Sequence, residues 1–181
     1  MQGAALSERP VGGPVFLEEV FHDHQARVFR AAYRITGNAQ DAEDVLQTVF
    51  LRLVRQGEGS HLANPASYLY RAAINSALDL LRARRERASV PLEEAEGAPM
   101  GLSPTPEQTQ EAAEVRAWLR GALAALPPRA AEVFTLRCLE GQDNRDIARI
   151  LGLSRVSVAV TLHRTRQRLQ ADLRLWRRGR P

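Results

Sequence analysis

Lysine is absent from this chain: all 25 basic residues are arginines. A GC-rich genome would leave that imprint, but arginine is also the side chain whose planar fork holds a phosphate or a guanine edge with two bonds at once. Cysteine is reduced to Cys138. That excludes an intrachain disulfide and a cysteine metal cluster, and it fits a reducing, cytoplasmic setting. Cys138 itself is expected to be a small buried apolar side chain. No apolar run approaches the roughly 18 residues that a membrane span needs, and the opening stretch to Pro14 lacks the apolar core of a secretory signal, so it reads as a flexible lead-in. Strand-like alternation is missing throughout, as are a phosphate-cradling glycine loop, zinc-ligand spacing and a nucleophile motif. The expectation is an all-α protein with no cofactor, no metal and no catalytic residues.

What is present is apolar content of 44%, enough for globular cores, and a modest net charge of +4 that is unevenly spread. From Arg71 to Arg87 five arginines face Asp79 and Glu86; from Arg164 onward seven arginines face Asp172 alone. Between these poles, Glu93 to Glu114 carries six glutamates and no basic residue. Two basic poles flanking an acidic stretch point to a polyanion contacted at two places, although each pole also reads as an ordinary solvated helix.

Taken in order, Leu17, Val20, Phe21, Val28, Ala31, Ala32 and Ile35 mark an amphipathic helix ended by Gly37. His22 and His24 lie two apart, on different faces, which argues against a metal pair. Asn38 suits the cap of a second helix that buries Ala42, Val45, Leu46, Val49, Phe50 and Leu53. Its other side shows Asp41, Glu43, Asp44, Gln47, Thr48 and Arg52. After the loop from Gln56 to Ser60, Asn64-Pro65 starts a third helix with Tyr70, Ile74, Ala77 and Leu81 as its apolar stripe. About 100° round lie Arg71, Asn75, Asp79 and Arg82, leading into Arg84, Arg85 and Arg87. Such a face can grip phosphates and read a base edge, or its arginines can complement the negative end of their own helix. The composition then turns to proline, glycine, serine and glutamate, which predicts a linker over 89–106 between domains at 15–88 and 107–178. As a flexible chain about 20 residues span roughly 25 Å on average, and about 70 Å fully extended.

The second domain opens with a helix carrying Val115, Trp118, Leu119, Ala122 and Leu123, stopped at Leu126-Pro127-Pro128; in the next, Ala131, Phe134 and Leu139 are expected to close a core against it. Asp143 or Asn144 can then cap a helix with Ile147, Ala148 and Leu151 inward. Gly152 can end it, Leu153 can plug the corner, and Ser154 can cap a last helix with Val158, Leu162, Thr165 and Leu169 inward. This is the pattern of a helix-turn-helix, whose second helix enters a DNA major groove. Its outward side carries Ser157, Val160, His163, Arg164 and Gln167.

Two independent stretches resemble one family. Ala32 to Arg52 (AYRITGNAQDAEDVLQTVFLR) and Ala66 to Arg82 (ASYLYRAAINSALDLLR) are similar to the second region of bacterial RNA polymerase sigma factors, above all the extracytoplasmic-function (ECF) group. Leu126 to Arg137 (LPPRAAEVFTLR) and Ile147 to Ser154 (IARILGLS) resemble that group's fourth region. The resemblance implies that Asp41, Glu43, Asp44, Gln47, Thr48 and Arg52 dock on the clamp coiled coil of the polymerase largest subunit. It implies that Tyr68, Arg71, Asn75, Asp79, Arg82 and Arg85, with the loop from Gln56 to Asn64, open and read the minus-10 promoter element. The helix-turn-helix, through Arg155, Ser157, Val160, Thr161, His163, Arg164, Gln167 and Arg168, would read the minus-35 element. Core polymerase, including its flap, promoter DNA and an anti-sigma factor are the partners the family implies.

The chain departs from the family's pattern where Tyr68 replaces the usual tryptophan and Ile74 a common basic residue. In the reader helix, Ser157-Val158-Ala159-Val160-Thr161-Leu162 stands where Thr-Val-Lys-Ser-Arg-Leu is usual. Val156 and Val160 could then meet thymine methyl groups or simply be tolerated surface. A stand-alone helix-turn-helix repressor and an RNA-binding adaptor are the rival readings; neither needs the acidic face of the second helix.

Overall fold

The computed structural model describes residues 14–56, 64–87 and 106–179, with side chains from 17 in the first helix and from 110 in the fourth. Seven helices occupy them: α1 Pro14–Thr36, α2 Ala39–Gln56, α3 Pro65–Arg87, α4 Pro106–Ala125, α5 Pro128–Cys138, α6 Asn144–Leu151 and α7 Arg155–Arg178. The lead-in and the linker expected over 89–106 lie, but for Pro106, outside the described residues, as does most of the loop after α2.

The helix starts follow from local chemistry. Free amides at a helix N-terminus need acceptors, and the starts of α2 and α3 each receive one: Asn38 Oδ1 accepts from the Asp41 amide at 3.2 Å, and Asn64 Oδ1 from the Ser67 amide at 2.9 Å. In the helix-turn-helix, Asp143 accepts from the Asp146 amide at 2.7 Å and Ser154 from the Ser157 amide at 3.0 Å. Gly152 ends α6 at φ 65°, a left-handed conformation strained for any residue with a Cβ. Leu153 donates back to the Ala148 carbonyl at 2.9 Å, which fixes the turn between the helices.

Helices α1, α2 and α3 pack on one another around Val28, Ile35, Val49, Leu53, Leu69, Ile74 and Leu78, each almost wholly buried. Burial of such side chains stabilises by roughly 1.5–3 kcal/mol apiece. Helices α5, α6 and α7 form the second unit around Val133, Leu136, Ile147, Leu151, Val158 and Leu162. The expected inward set Val158, Leu162, Thr165 and Leu169 is buried as one stripe along α7. The two units are not separate in this structure: their buried residues form one continuous cluster.

Several expectations are corrected. Helix α4, expected to build its core mainly with α5, lies along α3 and so bridges the units. In α5 Ala131 is fully buried as expected, together with Val133, Thr135 and Leu136, whereas Phe134 and Leu139 are half-buried. An eleven-residue helix pressed between α3 and α7 is covered on more than one side, so a single-stripe reading finds Ala131 but misses the rest of the buried set. Cys138 is exposed, because it ends α5 on the side facing solvent. Phe21 keeps 39% exposure and meets the edge of Phe50 at 4.8 Å between ring centres.

The Asp143 cap has a pH signature. The Asp146 amide bond, aided by Arg145 and Arg137, holds the Asp143 carboxyl below its ordinary value. A depressed folded-state pKa means stability that is present above the unfolded value and lost as pH falls through the folded one. Asn at the same place accepts the bond without titrating. In thermal melts, wild type should equal or exceed Asp143→Asn at neutral pH, and the order should reverse once the pH falls well below about 4; a constant difference across the range would exclude this cap from the acid response.

Candidate docking and nucleic-acid interfaces

The outer face of α2 presents Glu43, Asp44 and Gln47 to solvent, with Thr48 half-buried beside them. Among the described residues Asp44 takes only a long bond from Gln40 Nε2 at 3.5 Å. Arg52 is exposed and donates to Ser76 Oγ of α3 at 3.2 Å. Leu51 and Val54, each 53% exposed, continue the surface with apolar area that periodicity alone does not explain. Asp41, counted on this outward face from the sequence, is not on it: the residue is 4% exposed. Both its oxygens accept from Arg84 of α3 at 2.5 Å, a two-pronged ion pair. Burial in the groove between α2 and α3 turns Asp41 into a tie between helices, and it uses an arginine that belonged to the α3 basic end.

On α3, Tyr68, Arg71, Asn75 and Arg82 are half-buried and Asp79 and Arg85 exposed. Arg82 Nη1 donates to Asp79 at 2.7 Å, so this pair is partly self-neutralising. Arg71 is engaged elsewhere: its Nε lies 3.7 Å from Glu132 of α5. The structure thus keeps the expected face on one helix but turns its N-terminal half toward the second unit.

The outward side of α7 holds Arg155, Ser157, Val160, His163, Arg164, Gln167 and Arg168, all exposed, with Thr161 half-buried. Val156, at 72% exposure, and Val160, at 43%, make its first turns apolar. Arg168 lies 3.9 Å from Asp172 one turn on. Arg166 departs from the rest. It lines a groove of about 300 Å³ with Trp118, Leu119, Phe134, Cys138, Leu169, Gln170 and Leu173, on the opposite flank of the helix. Trp118 and Trp176 approach to 6.1 Å at the groove's end.

Sequence reasoning missed Glu132 and Glu140, the two carboxylates that receive side chains of the other unit. Their only sequence signal is negative charge beside a proline-started helix, which many exposed helices share. Among the described residues no cluster of three or more metal-ligating side chains occurs, and no helix is long and apolar enough to cross a membrane.

Comparison with known proteins gives the same division. Residues 20–87 match sigma-70 region 2 and residues 116–169 match sigma-70 region 4. The chain therefore belongs to the sigma-70 family, the factors that give RNA polymerase promoter-specific initiation. Its relatives fall in the ECF group. It is 32% identical to the ECF RNA polymerase sigma factor SigE of Mycolicibacterium smegmatis over 91% of this chain and 68% of that one. It is also 32% identical to the RNA polymerase sigma-E factor of Streptomyces coelicolor, over 90% of this chain and 89% of the relative. The solved structure of CnrH in complex with the cytosolic domain of CnrY shares the fold, with a TM-score of 0.55 at 22% identity and 91% of each chain covered. The family relation gives the repressor and adaptor readings no support.

The two acids of α2 should separate in a stability measurement. Asp41→Ala removes a buried partner but leaves Arg84 nearly half exposed and able to hydrate, so a cost of about 1–3 kcal/mol is expected. Asp44→Ala, on the open face, should stay within about 0.5 kcal/mol. Urea unfolding of both variants tests this; equal costs would remove the distinction.

Proposed function

We propose that the exposed face of α2, through Glu43, Asp44, Gln47, Thr48 and Arg52, docks on the clamp coiled coil of the polymerase largest subunit. The exposed acids carry this reading: they sit on a helix whose opposite face is used in the core, and among the described residues their charge meets only Gln40. Asp41 supports the surface from beneath as the tie to Arg84. Leu51 and Val54 supply apolar area beside the acids.

The face of α3 with Tyr68, Arg71, Asn75, Asp79, Arg82 and Arg85 takes the minus-10 element, helped by the loop after α2. Capturing an unstacked base costs a few kcal/mol, which stacking on Tyr68 and arginine contacts offset. The helix-turn-helix takes the minus-35 element. Arg155, Arg164 and Arg168 supply phosphate attraction; Ser157, Thr161, His163 and Gln167 supply polar contacts, and Val156 and Val160 meet thymine methyls. The apolar groove beside Trp118 and Phe134 accepts the polymerase flap. The chain acts in the cytoplasm as two domains, 15–88 and 107–178, without a catalytic step or cofactor of its own, and an anti-sigma factor holds it in reserve.

Purified chain added to core polymerase should give run-off transcription from selected promoters and none without it. Tight duplex binding in the absence of polymerase, with no stimulation of run-off, would instead support a repressor. Asp44→Arg should weaken capture of core polymerase, and an unchanged pull-down rejects the α2 surface. For α7, Arg164→Ala should lower promoter affinity and reduce the slope of log affinity against log salt by about 0.9, the signature of one lost phosphate contact. A parallel line of the wild-type slope would take Arg164 off the phosphate backbone.

A further inference from the structure

Arginines at the helix contacts of this chain commonly meet a carboxylate: Arg34, Arg71, Arg82, Arg84 and Arg129 each have one within 4 Å. Arg116 and Arg120 of α4 differ. Among the described residues neither is paired with an acid, although Arg120 is half-buried. The two lie one turn apart on α4 and so share a face. Arg120 packs over the turn between α1 and α2, where a Cβ added at Gly37 would lie 2.7 Å from its Nη1. Arg84 of α3 reaches the same corner, and both its prongs hold Asp41, in the first turn of α2, at 2.5 Å. Burial, Arg116 and Arg84 together lower the Arg120 pKa, so the charges that act on this guanidinium are themselves cations. The start of α2, a helix of 18 residues, adds the positive end of its dipole. Asp41 offsets one of the three guanidinium charges, and two are left.

A cation drawn partly out of water toward other cations costs free energy unless an anion offsets it. The donors select that anion. Each guanidinium presents a planar fork that fits two oxygens of a phosphate. Forks arriving from α3 and α4 suit phosphoryl oxygens, which point several ways, better than the oxygens of a carboxylate, which lie in one plane. A diphosphate also carries enough charge to match two uncompensated arginines. The recess of Arg120 between α4 and the α1–α2 turn admits a compact ion, whereas the long ridge of a duplex backbone is met better by the exposed arginines of α7.

We propose that Arg84, Arg116 and Arg120 form a binding site for a compact phosphoryl anion of the diphosphate class, at the corner where the start of α2 meets α3 and α4. The site uses no arginine of the docking and promoter faces assigned above, and it does not rest on those readings.

The test titrates inorganic pyrophosphate into the full chain by calorimetry, without magnesium and at constant ionic strength. Wild type should bind it saturably, and its melting temperature should rise with pyrophosphate. Arg116→Gln and Arg120→Gln should each weaken binding at least about tenfold, the effect of losing a hydrogen bond to a charged group. Arg174→Gln, an exposed change toward the far end of α7, should leave it unaltered. Arg120→Glu places a negative charge in the corner from the chain itself. It should raise the melting temperature of the free chain and abolish the response to pyrophosphate, a pair of effects that a merely structural arginine would not produce. Arg116 is exposed, so Arg116→Gln still decides the matter if the Arg120 variants lose helicity. No saturable binding, or equal binding by wild type and the glutamine variants, overturns the site. So does duplex affinity that falls in these variants while pyrophosphate fails to bind, since the corner would then be a DNA contact.

Discussion

A carboxylate buried away from water must find a cation or a donor, and among the described residues the buried carboxylates of Asp41, Glu132 and Glu140 each find an arginine. Asp41 takes Arg84, Glu132 takes Arg71 and Arg129, and Glu140 takes Arg34 with the Tyr70 hydroxyl. Apart from Arg129–Glu132, which lies within α5, these pairs join segments far apart in sequence, so they set how α2 sits on α3 and how the first unit meets the second. A buried ion pair adds little net stability over an apolar contact of the same shape, but breaking one half is costly. Its value is registry. Apolar side chains such as Leu53, Leu69 and Leu136 make the helices cohere, while the pairs between helices choose one alignment among several that would bury similar area.

Much of this was legible from residue order alone. The four N-caps, the left-handed glycines and the inward stripes of α3, α6 and α7 follow from local rules, because a helix start or stop is decided within a few residues. The outward face of α7 was legible for the same reason: the buried positions Val158, Leu162, Thr165 and Leu169 determine its opposite side. What local rules could not reveal was the identity of neighbours. Asp41 looks like any polar residue in the first turn of an amphipathic helix until Arg84, 43 residues on, arrives beside it. Cys138 is apolar by chemistry and exposed by position. Glu132 lies in a helix covered on more than one side, so its burial depends on how α5 is sandwiched and not on a period.

The departures in the reader helix gain meaning from the surrounding charge. Where basic residues are usual, Ala159 and Thr161 stand, and the exposed valines before them present no charge. Arginines flank this apolar section at Arg155 and from Arg164 onward, so in the proposed promoter reading attraction to the phosphates falls at its edges while its centre is left for shape and methyl contacts. Such an arrangement separates affinity from discrimination along a single helix.

The length of α7 adds a mechanical consequence. At 24 residues it is a rod of about 36 Å. Its first turns are the tip proposed to face the promoter, while Trp176 near the far end rests against Trp118 of α4, beside the apolar groove. A partner that wedges into this groove pushes on the tail of a stiff lever. A tilt of only 5° about that end carries the tip through about 3 Å, the length of a hydrogen bond.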